Sequence, residues 1–203
     1  MRCDRSEGPA LHLTPPWLME AFDRTLRPLM HDPERIVRPF VAPGDRVADI
    51  GCGTGFFSPA LARLAGPSGE LLLVDVQEEM LHAAVKKVRE DPRPTAEVTG
   101  VLVSGGELQL PPGVDFALMS WMLHEVEEQE QYWRALGHSI RPAGKVLVIE
   151  PWLHVGARRW EEELSPAEKH GFTRHDIGGV FFSRATVMTK LDRTGPPGCE
   201  ALS

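Results

Sequence analysis

Residues 46–58 read RVADIGCGTGFFS, and the stretch divides into three parts. Val47, Ala48 and Ile50 make a short apolar run, glycines follow at 51, 53 and 55, and an amphipathic run over 56–65 takes over. That pattern predicts a strand, a tight turn and a helix. Glycine suits such a turn because a bend this sharp calls for positive φ, and because a missing Cβ lets a ligand lie directly against backbone. The helix that follows offers free N–H groups at its start. Pro59 requires it to begin near Gly55 or Phe56, so that the absent proline N–H falls within the unbonded first turn.

Spacing carries more information than the glycines themselves. A dinucleotide fingerprint, G-x-G-x-x-G, needs glycine at position 56, where this chain has Phe56. The pattern here is G-x-G-x-G behind Asp49. A glycine loop alone also suits a structural turn or another nucleotide fold, so residues downstream must carry the reading. The segment D-I-G-C-G-T-G resembles the first motif of the class I S-adenosylmethionine-dependent methyltransferases, especially the small-molecule branch typified by ubiquinone and arsenite methyltransferases, of the type 11 or 25 kind. The resemblance implies an α/β fold: a Rossmann-like seven-stranded, mostly parallel sheet with helices on both faces and the last strand antiparallel. It also implies S-adenosylmethionine as cofactor, with Asp49, Gly51, Cys52, Gly53 and Gly55 around it.

Size and charge bound the other possibilities. A chain of 203 residues with 42% apolar content suits one domain with a sizeable core, and a net charge of -7 weighs against a nucleic-acid partner. Cys3, Cys52 and Cys199 are scattered, odd in number and without a C-x-x-C pair, which indicates neither a disulfide framework nor a zinc site. We expect no metal, a cytoplasmic location and no membrane span, because no apolar run approaches bilayer length. The expected organisation is a helical cap over residues 1–40, a catalytic domain over 41–192 and a disordered Gly/Pro-rich tail over 193–203.

In chain order, Thr14 and Pro15 predict the capped start of a helix through Leu29, and Asp32 and Pro33 repeat the signal for a short second helix ending near Phe40. The resemblance places such helices over the cofactor mouth; ordinary packing of Trp17, Met19 and Phe22 is the equal alternative. Residues 70–76, ELLLVDV, read as a buried strand ending on Asp75, where a carboxylate can accept hydrogen bonds from both hydroxyls of a ribose. Capping the helix over 77–90 is the structural alternative for Asp75. The resemblance adds Val76 and Met80 as flanks of the adenine.

Residues 96–103 alternate as a third strand. Where the resembled family usually binds the adenine amino group with an aspartate, this chain reads Ser104, Gly105, Gly106, Glu107. Ser104, a backbone group beside Gly105, a shifted Glu107 or packing alone can fill the role. Residues 114–120, VDFALMS, form a fourth strand that runs on into WMLHEV. This stretch resembles the family's F-D-L-V-x-x-x-x-x-L-H-H-V, which implies Ser120 and Trp121 beside the methionine part of the cofactor, and Leu123 and His124 facing the sulfonium and the acceptor. His124 is the candidate base, with a turn-fixing neutral histidine as the even alternative; Glu150, Trp152 and His154 are candidate pocket lining. The base-amine motif N-P-P-Y is absent, and Ser120 stands where metal-dependent catechol-type enzymes carry an aspartate, so neither DNA-base methylation nor a catalytic magnesium is expected.

A helix over 127–140, a turn at Arg141 to Gly144 like the family's K-P-G-G, and a fifth strand over 145–150 come next. Thereafter we expect a helix over 165–170 and strands over 173–177 and 182–190. The order strand, helix, strand, helix predicts a parallel sheet with its ligand outside the strands' carboxyl ends. Few residues remain for a cap insertion, so the pocket is small, open, or completed by another subunit, possible in a homodimer. The reading is a methyltransferase for a small-molecule acceptor. Its alternative is a noncatalytic S-adenosylmethionine-binding or interaction protein of the same fold; a nicotinamide dehydrogenase fails at Phe56.

Overall fold

A computed structural model of the chain describes residues 32–104, 106–178 and 180–192. The helix expected over 14–29, the tail over 193–203 and Gly105 lie outside the described residues.

Seven strands form one sheet in the order β3-β2-β1-β4-β5-β7-β6. They are β1 Arg46–Ile50, β2 Glu70–Asp75, β3 Glu97–Leu102, β4 Val114–Ser120, β5 Ile140–Pro151, β6 Phe172–Ile177 and β7 Ser183–Lys190. β1 pairs in parallel with β2 on one side and β4 on the other, and the chain order reverses between β1 and β4. β7 alone runs against its neighbours β5 and β6, as the resemblance implied. A reversal of this kind opens a crevice beyond the carboxyl ends of β1 and β4, the place where open α/β sheets bind ligands.

Alternation along the inner strands builds a core on each face. Leu71 and Leu73 pack with Val47, Phe116 and Leu118 on one side, beneath α1 (Pro33–Val37), α2 (Ser58–Ala65) and α3 (Glu78–Arg89). Leu72 and Val74 face the other way, with Ala48, Val146 and Val148, against α4 (Gln129–Ser139) and α5 (Ala157–Lys169). Asp32 caps α1 by accepting from the Arg35 N–H at 3.2 Å, ahead of Pro33, as the sequence predicts.

Three elements differ from expectation. α2 starts at Ser58, later than residue 55 or 56, because the glycine bend runs on to Phe57; Pro59 still falls in the first turn, where its missing N–H costs nothing. The turn at Arg141 to Gly144 lies within β5, as an excursion between the pairings Val114 with Ile140 and Phe116 with Lys145, and Ala143 takes φ 61° there. α5 begins at Ala157, well before residue 165, and carries Pro166 in its interior. Pro166 has no N–H for the Glu162 carbonyl, and the Ser165 hydroxyl donates to that oxygen at 3.3 Å instead.

Candidate functional site

The bend after β1 is held from beneath. The N–H groups of Gly51 and Cys52 both donate to the Val74 carbonyl of β2, at 2.8 and 3.0 Å, and the Gly55 N–H donates to the Cys52 carbonyl at 2.9 Å. All three glycines have positive φ: 67° at Gly51, 53° at Gly53 and 77° at Gly55. Their surroundings differ. A Cβ at Gly51 would stand 2.7 Å from the Cβ of Met122, and one at Gly55 would stand 2.9 Å from the Cα of Ala84, whereas one at Gly53 would meet nothing within 4 Å. The outer two glycines allow close packing, and the middle one turns bare backbone to open space.

Asp75 is tied to that bare backbone. Its Oδ2 accepts from the Gly53 N–H and its Oδ1 from the Gln77 N–H, each at 2.9 Å, so the carboxylate links the bend to the start of α3. Asp75 thus ties the bend to the residue before α3, while accepting from no N–H of the helix itself. Each carboxylate oxygen retains a lone pair beyond these bonds, out of about four in all. Burial raises the Asp75 pKa against the opposing pull of those N–H groups. Asp49, buried at the end of β1, accepts from the Ser58 hydroxyl at 2.6 Å and thereby joins the strand to the first turn of α2. Cys52 is buried too, and that burial, with the charges of Asp49 and Asp75, pushes its thiol well up, which leaves it unreactive.

Around this centre the other expected cofactor residues take different places. Val76 is 52% exposed at the mouth beyond β2, an unusual position for a valine with no partner surface; Met80 is buried in the first turns of α3. Ser104 is exposed after β3. Ser120 ends β4, half-buried, and Trp121 follows with φ 59°, its N–H donating to the Ile149 carbonyl at 2.8 Å and its Nε1 to the Ser183 hydroxyl at 3.1 Å.

His124 sits on a single 3-10 turn, Leu123–Glu125, directly after this bend. Alternation along β5 sends Glu150 to the same face as Val146 and Val148, and the carboxylate is fully buried there. Its Oε1 accepts from the N–H groups of Met122 and Leu123, at 3.2 and 2.7 Å, and its Oε2 pairs with Nδ1 of His124 at 2.6 Å. One carboxylate thus satisfies the start of the turn and orients the imidazole on it. Burial by itself would lower the His124 pKa, but the hydrogen bond and charge of Glu150, helped by Glu125 and Glu163, outweigh it and the net shift is upward. With Nδ1 facing a carboxylate, the proton of the neutral ring belongs on Nδ1 and Nε2 is left with its lone pair.

α5 contributes a second support that the sequence reading missed. Arg159 donates through Nε to Glu163 Oε1 at 2.8 Å and through Nη2 to the backbone carbonyl of His124. Glu163 is buried, its Oε2 has no hydrogen-bond partner, and burial followed by the charge of Glu150 raises its pKa. The i,i+4 spacing of Arg159 and Glu163 was the available signal. Tyr132 of α4 is also buried at this rim, where burial and then the charge of Asp75 push its phenol pKa upward. Among the described residues no group of three or more His, Cys, Asp or Glu could hold a metal ion. No described helix is long and apolar enough to cross a membrane.

Comparison with known proteins agrees with this geometry. Residues 47–144 match the family model of a methyltransferase domain. Over 111 residues the chain is 32% identical to the ubiquinone/menaquinone biosynthesis C-methyltransferase UbiE of Pasteurella multocida, an overlap of 54% of this chain and 41% of that protein. The UbiE protein of Yersinia pestis is 33% identical over 108 residues, 53% of this chain and 43% of that one. The chain thus spans about two fifths of the length of these relatives. Among solved structures, a SAM-dependent methyltransferase from Aquifex aeolicus superposes with a TM-score of 0.75 at 24% identity, over 88% of this chain and all (100%) of the other. The cyclase SpnF shares the fold as well, with a TM-score of 0.59 at 18% identity over 78% of this chain and 80% of its own.

Proposed function

We propose, from the premise that residues 47–144 are a class I S-adenosylmethionine-dependent methyltransferase domain, that this chain transfers a methyl group from S-adenosylmethionine to a small-molecule acceptor. One observation carries the reading: the open backbone at Gly53 and the buried carboxylate of Asp75 are joined by a 2.9 Å hydrogen bond at the switch point of the sheet. A nucleoside needs both, a surface without a Cβ against which to lie and an acceptor for its vicinal hydroxyls. The remaining lone pairs of Asp75 suit the two hydroxyls of a ribose, exposed Val76 suits one face of the adenine, and the bend from Gly51 to Gly55 with Ser120 and Trp121 suits the methionine end. Met80 is buried in the first turns of α3 beside Val76, and exposed Ser104, after β3, is the residue offered to the adenine edge. The same rim is too well furnished for a binding-only protein, because an oriented histidine adds nothing to nucleoside recognition.

When bound, S-adenosylmethionine supplies a methyl group on a positively charged sulfur that departs as a neutral thioether, so departure needs no acid. The work left for the protein is alignment and proton removal. Glu150 holds Nδ1 of His124, which leaves Nε2 of the neutral ring unprotonated, and Nε2 accepts the acceptor's proton; the resulting imidazolium is stabilised by the same carboxylate. Glu125 and Glu163, both near His124, add negative potential that favours a positive charge at this place. In this reading the reaction takes place in the cytoplasm, and nucleic acid is not a substrate.

The test is binding followed by turnover. Asp75→Ala removes charge-assisted hydrogen bonds of about 1.5–3 kcal/mol each, so calorimetry on adenosylhomocysteine is expected to show at least a hundredfold loss of affinity with the fold intact. Equal affinity in wild type and variant would overturn the assignment. Methyl transfer from labelled S-adenosylmethionine to a panel of small hydroxyl, carbon-acid and amine compounds then separates the enzyme from a binding-only protein.

A further inference from the structure

The glycine bend and the turn that carries His124 meet at Met122. Trp121, with φ 59°, turns the chain off the end of β4, and Met122 is the first residue after it. A Cβ built on Gly51 would stand 2.7 Å from the Cβ of Met122 and 2.8 Å from its Cγ, so Met122 lies directly against the backbone of the bend. Core packing alone gives a poor account of this contact. Met122 is only half-buried, whereas Leu123 beside it is fully buried and anchors the turn in the core.

Neither side of the contact draws back without breaking a hydrogen bond. Behind the bend, the Gly51 N–H donates to the Val74 carbonyl at 2.8 Å. Behind the turn, the Met122 N–H donates to Oε1 of Glu150 at 3.2 Å, and the Leu123 N–H donates to the same oxygen at 2.7 Å. The other oxygen of that carboxylate, Oε2, holds Nδ1 of His124 at 2.6 Å. A displacement of Met122 therefore reaches the imidazole through a single buried carboxylate, and the bend is what Met122 rests on.

Resting on the methyltransferase reading, we infer that Met122 is a positioning residue: through its contact with Gly51 and its N–H bond to Glu150, it sets how far the His124 imidazole stands from the cofactor bend. In-line transfer tolerates little error in that spacing, since a misplacement of about 1 Å costs on the order of a hundredfold in rate. An unbranched thioether chain suits the place because it fits an irregular gap without strain. Met122 acts only through its neighbours. The imidazole reports its own placement by its protonation, and the groups that face it are Glu150 from β5, Glu125 from its own turn, Glu163 and Arg159 from α5, and the His154 ring after β5. A substitution at Met122 replaces none of them.

The experiment is a pH titration of the His124 Cε1–H signal by NMR in the full, ligand-free chain, beside calorimetry on adenosylhomocysteine and methyl transfer to the acceptor panel. Met122→Gly withdraws both carbons from Gly51. It is expected to lower the His124 midpoint by about 0.5 pH unit or more, as the Glu150 bond loosens. It is also expected to lower kcat about ten- to hundredfold while adenosylhomocysteine affinity stays within about threefold. Met122→Leu keeps both carbons at similar volume and is expected to hold the midpoint and kcat close to wild type. Met122→Ala keeps the Cβ contact alone, so it falls between the two and decides the matter if the glycine variant does not fold. A wild-type midpoint in Met122→Gly and Met122→Ala overturns the inference, because a residue that only packs lowers the melting temperature and leaves the imidazole where it was. A loss of adenosylhomocysteine affinity as large as the loss of rate overturns it too, since Met122 then belongs to the cofactor pocket. Failure of adenosylhomocysteine to bind wild type strikes the methyltransferase reading instead, and the midpoints, measured without ligand, still decide the contact.

Discussion

Gly51, Gly53 and Gly55 share a left-handed φ but not a neighbourhood, and the difference separates stability from binding. Gly51→Ala drives a methyl group into Met122 and strains the backbone as well, for an expected loss of about 2–4 kcal/mol in urea unfolding. Gly53→Ala meets nothing, so the loss is limited to about 1–2 kcal/mol of backbone strain, yet the new methyl occupies the space a nucleoside needs. Its adenosylhomocysteine affinity is therefore expected to fall far more than its stability, and the opposite order would show that Gly53 is only a turn. His124 and Glu150 are separable in the same way. On the proposed function His124→Gln removes the base, and it is then expected to lower kcat about 10²–10⁴-fold without altering cofactor affinity. Glu150→Gln still offers an oxygen to the N–H groups of Met122 and Leu123, but its amide can donate to Nδ1 and leave the proton on Nε2, the wrong nitrogen. Because the Glu150 carboxylate holds the His124 pKa up, the rate of the wild type should rise with pH through a midpoint above the usual histidine value. Glu150→Gln should lower both that midpoint and the plateau.

At the scale of elements, α5 decides how firmly His124 is held. Arg159 spans from Glu163 to the His124 carbonyl, so Arg159→Met frees the 3-10 turn and leaves the Glu163 carboxylate buried without a counter-charge. Arg159 is half exposed, and the expected cost is about 1–3 kcal/mol, largely recovered by adding Glu163→Gln, as thermal melts of the single and double variants would show. Equal melts for the two would mean that the buried Glu163 carboxylate costs nothing once Arg159 is gone. This helix is also where sequence reading fell short. β4 was legible over its full span, and β1 with its bend, β2 and the first turn of α1 were legible too, because local signals and burial agree there. α5 reads as a shorter helix because Pro166 ordinarily breaks one, whereas in the fold the helix runs through it, with Trp160, Leu164 and Ala167 buried and the Ser165 hydroxyl donating to the Glu162 carbonyl. The residues around the bend could be named from spacing, since they lie on strand ends in chain order. Arg159 and Glu163 offered only their i,i+4 spacing as a signal, because their meaning depends on α5 lying against the 3-10 turn that carries His124, and that is a property of the folded chain.

At the scale of the whole molecule, the site and the stability of the fold are coupled through protons. His124 has a raised pKa in the folded chain, so its contribution to stability is complete below the unfolded value of about 6.5 and disappears as pH rises through the folded value. Asp75 is raised as well, because its charge is buried, and its contribution is complete below about 3.8 and disappears as pH climbs through its own raised value. Both groups therefore make the ligand-free protein relatively more stable in acid, and near neutral pH the sheet carries a buried carboxylate at its switch point that only partly finds compensation. A ribose diol donating to Asp75 supplies what is lacking, and it prefers the ionised form. Adenosylhomocysteine at about 100 times its Kd stabilises by about 2.7 kcal/mol, which for a chain of this size raises Tm by roughly 5–10 °C. That shift is expected to be larger at pH 7.5 than at pH 5, to vanish in Asp75→Ala, and to persist in His124→Gln, whose ligand-free Tm should also decline less steeply between pH 6 and pH 8. A thermal shift that grows toward acid would mean that binding does not draw on the ionised carboxylate of Asp75, and the link between the bend and the cofactor would have to be redrawn.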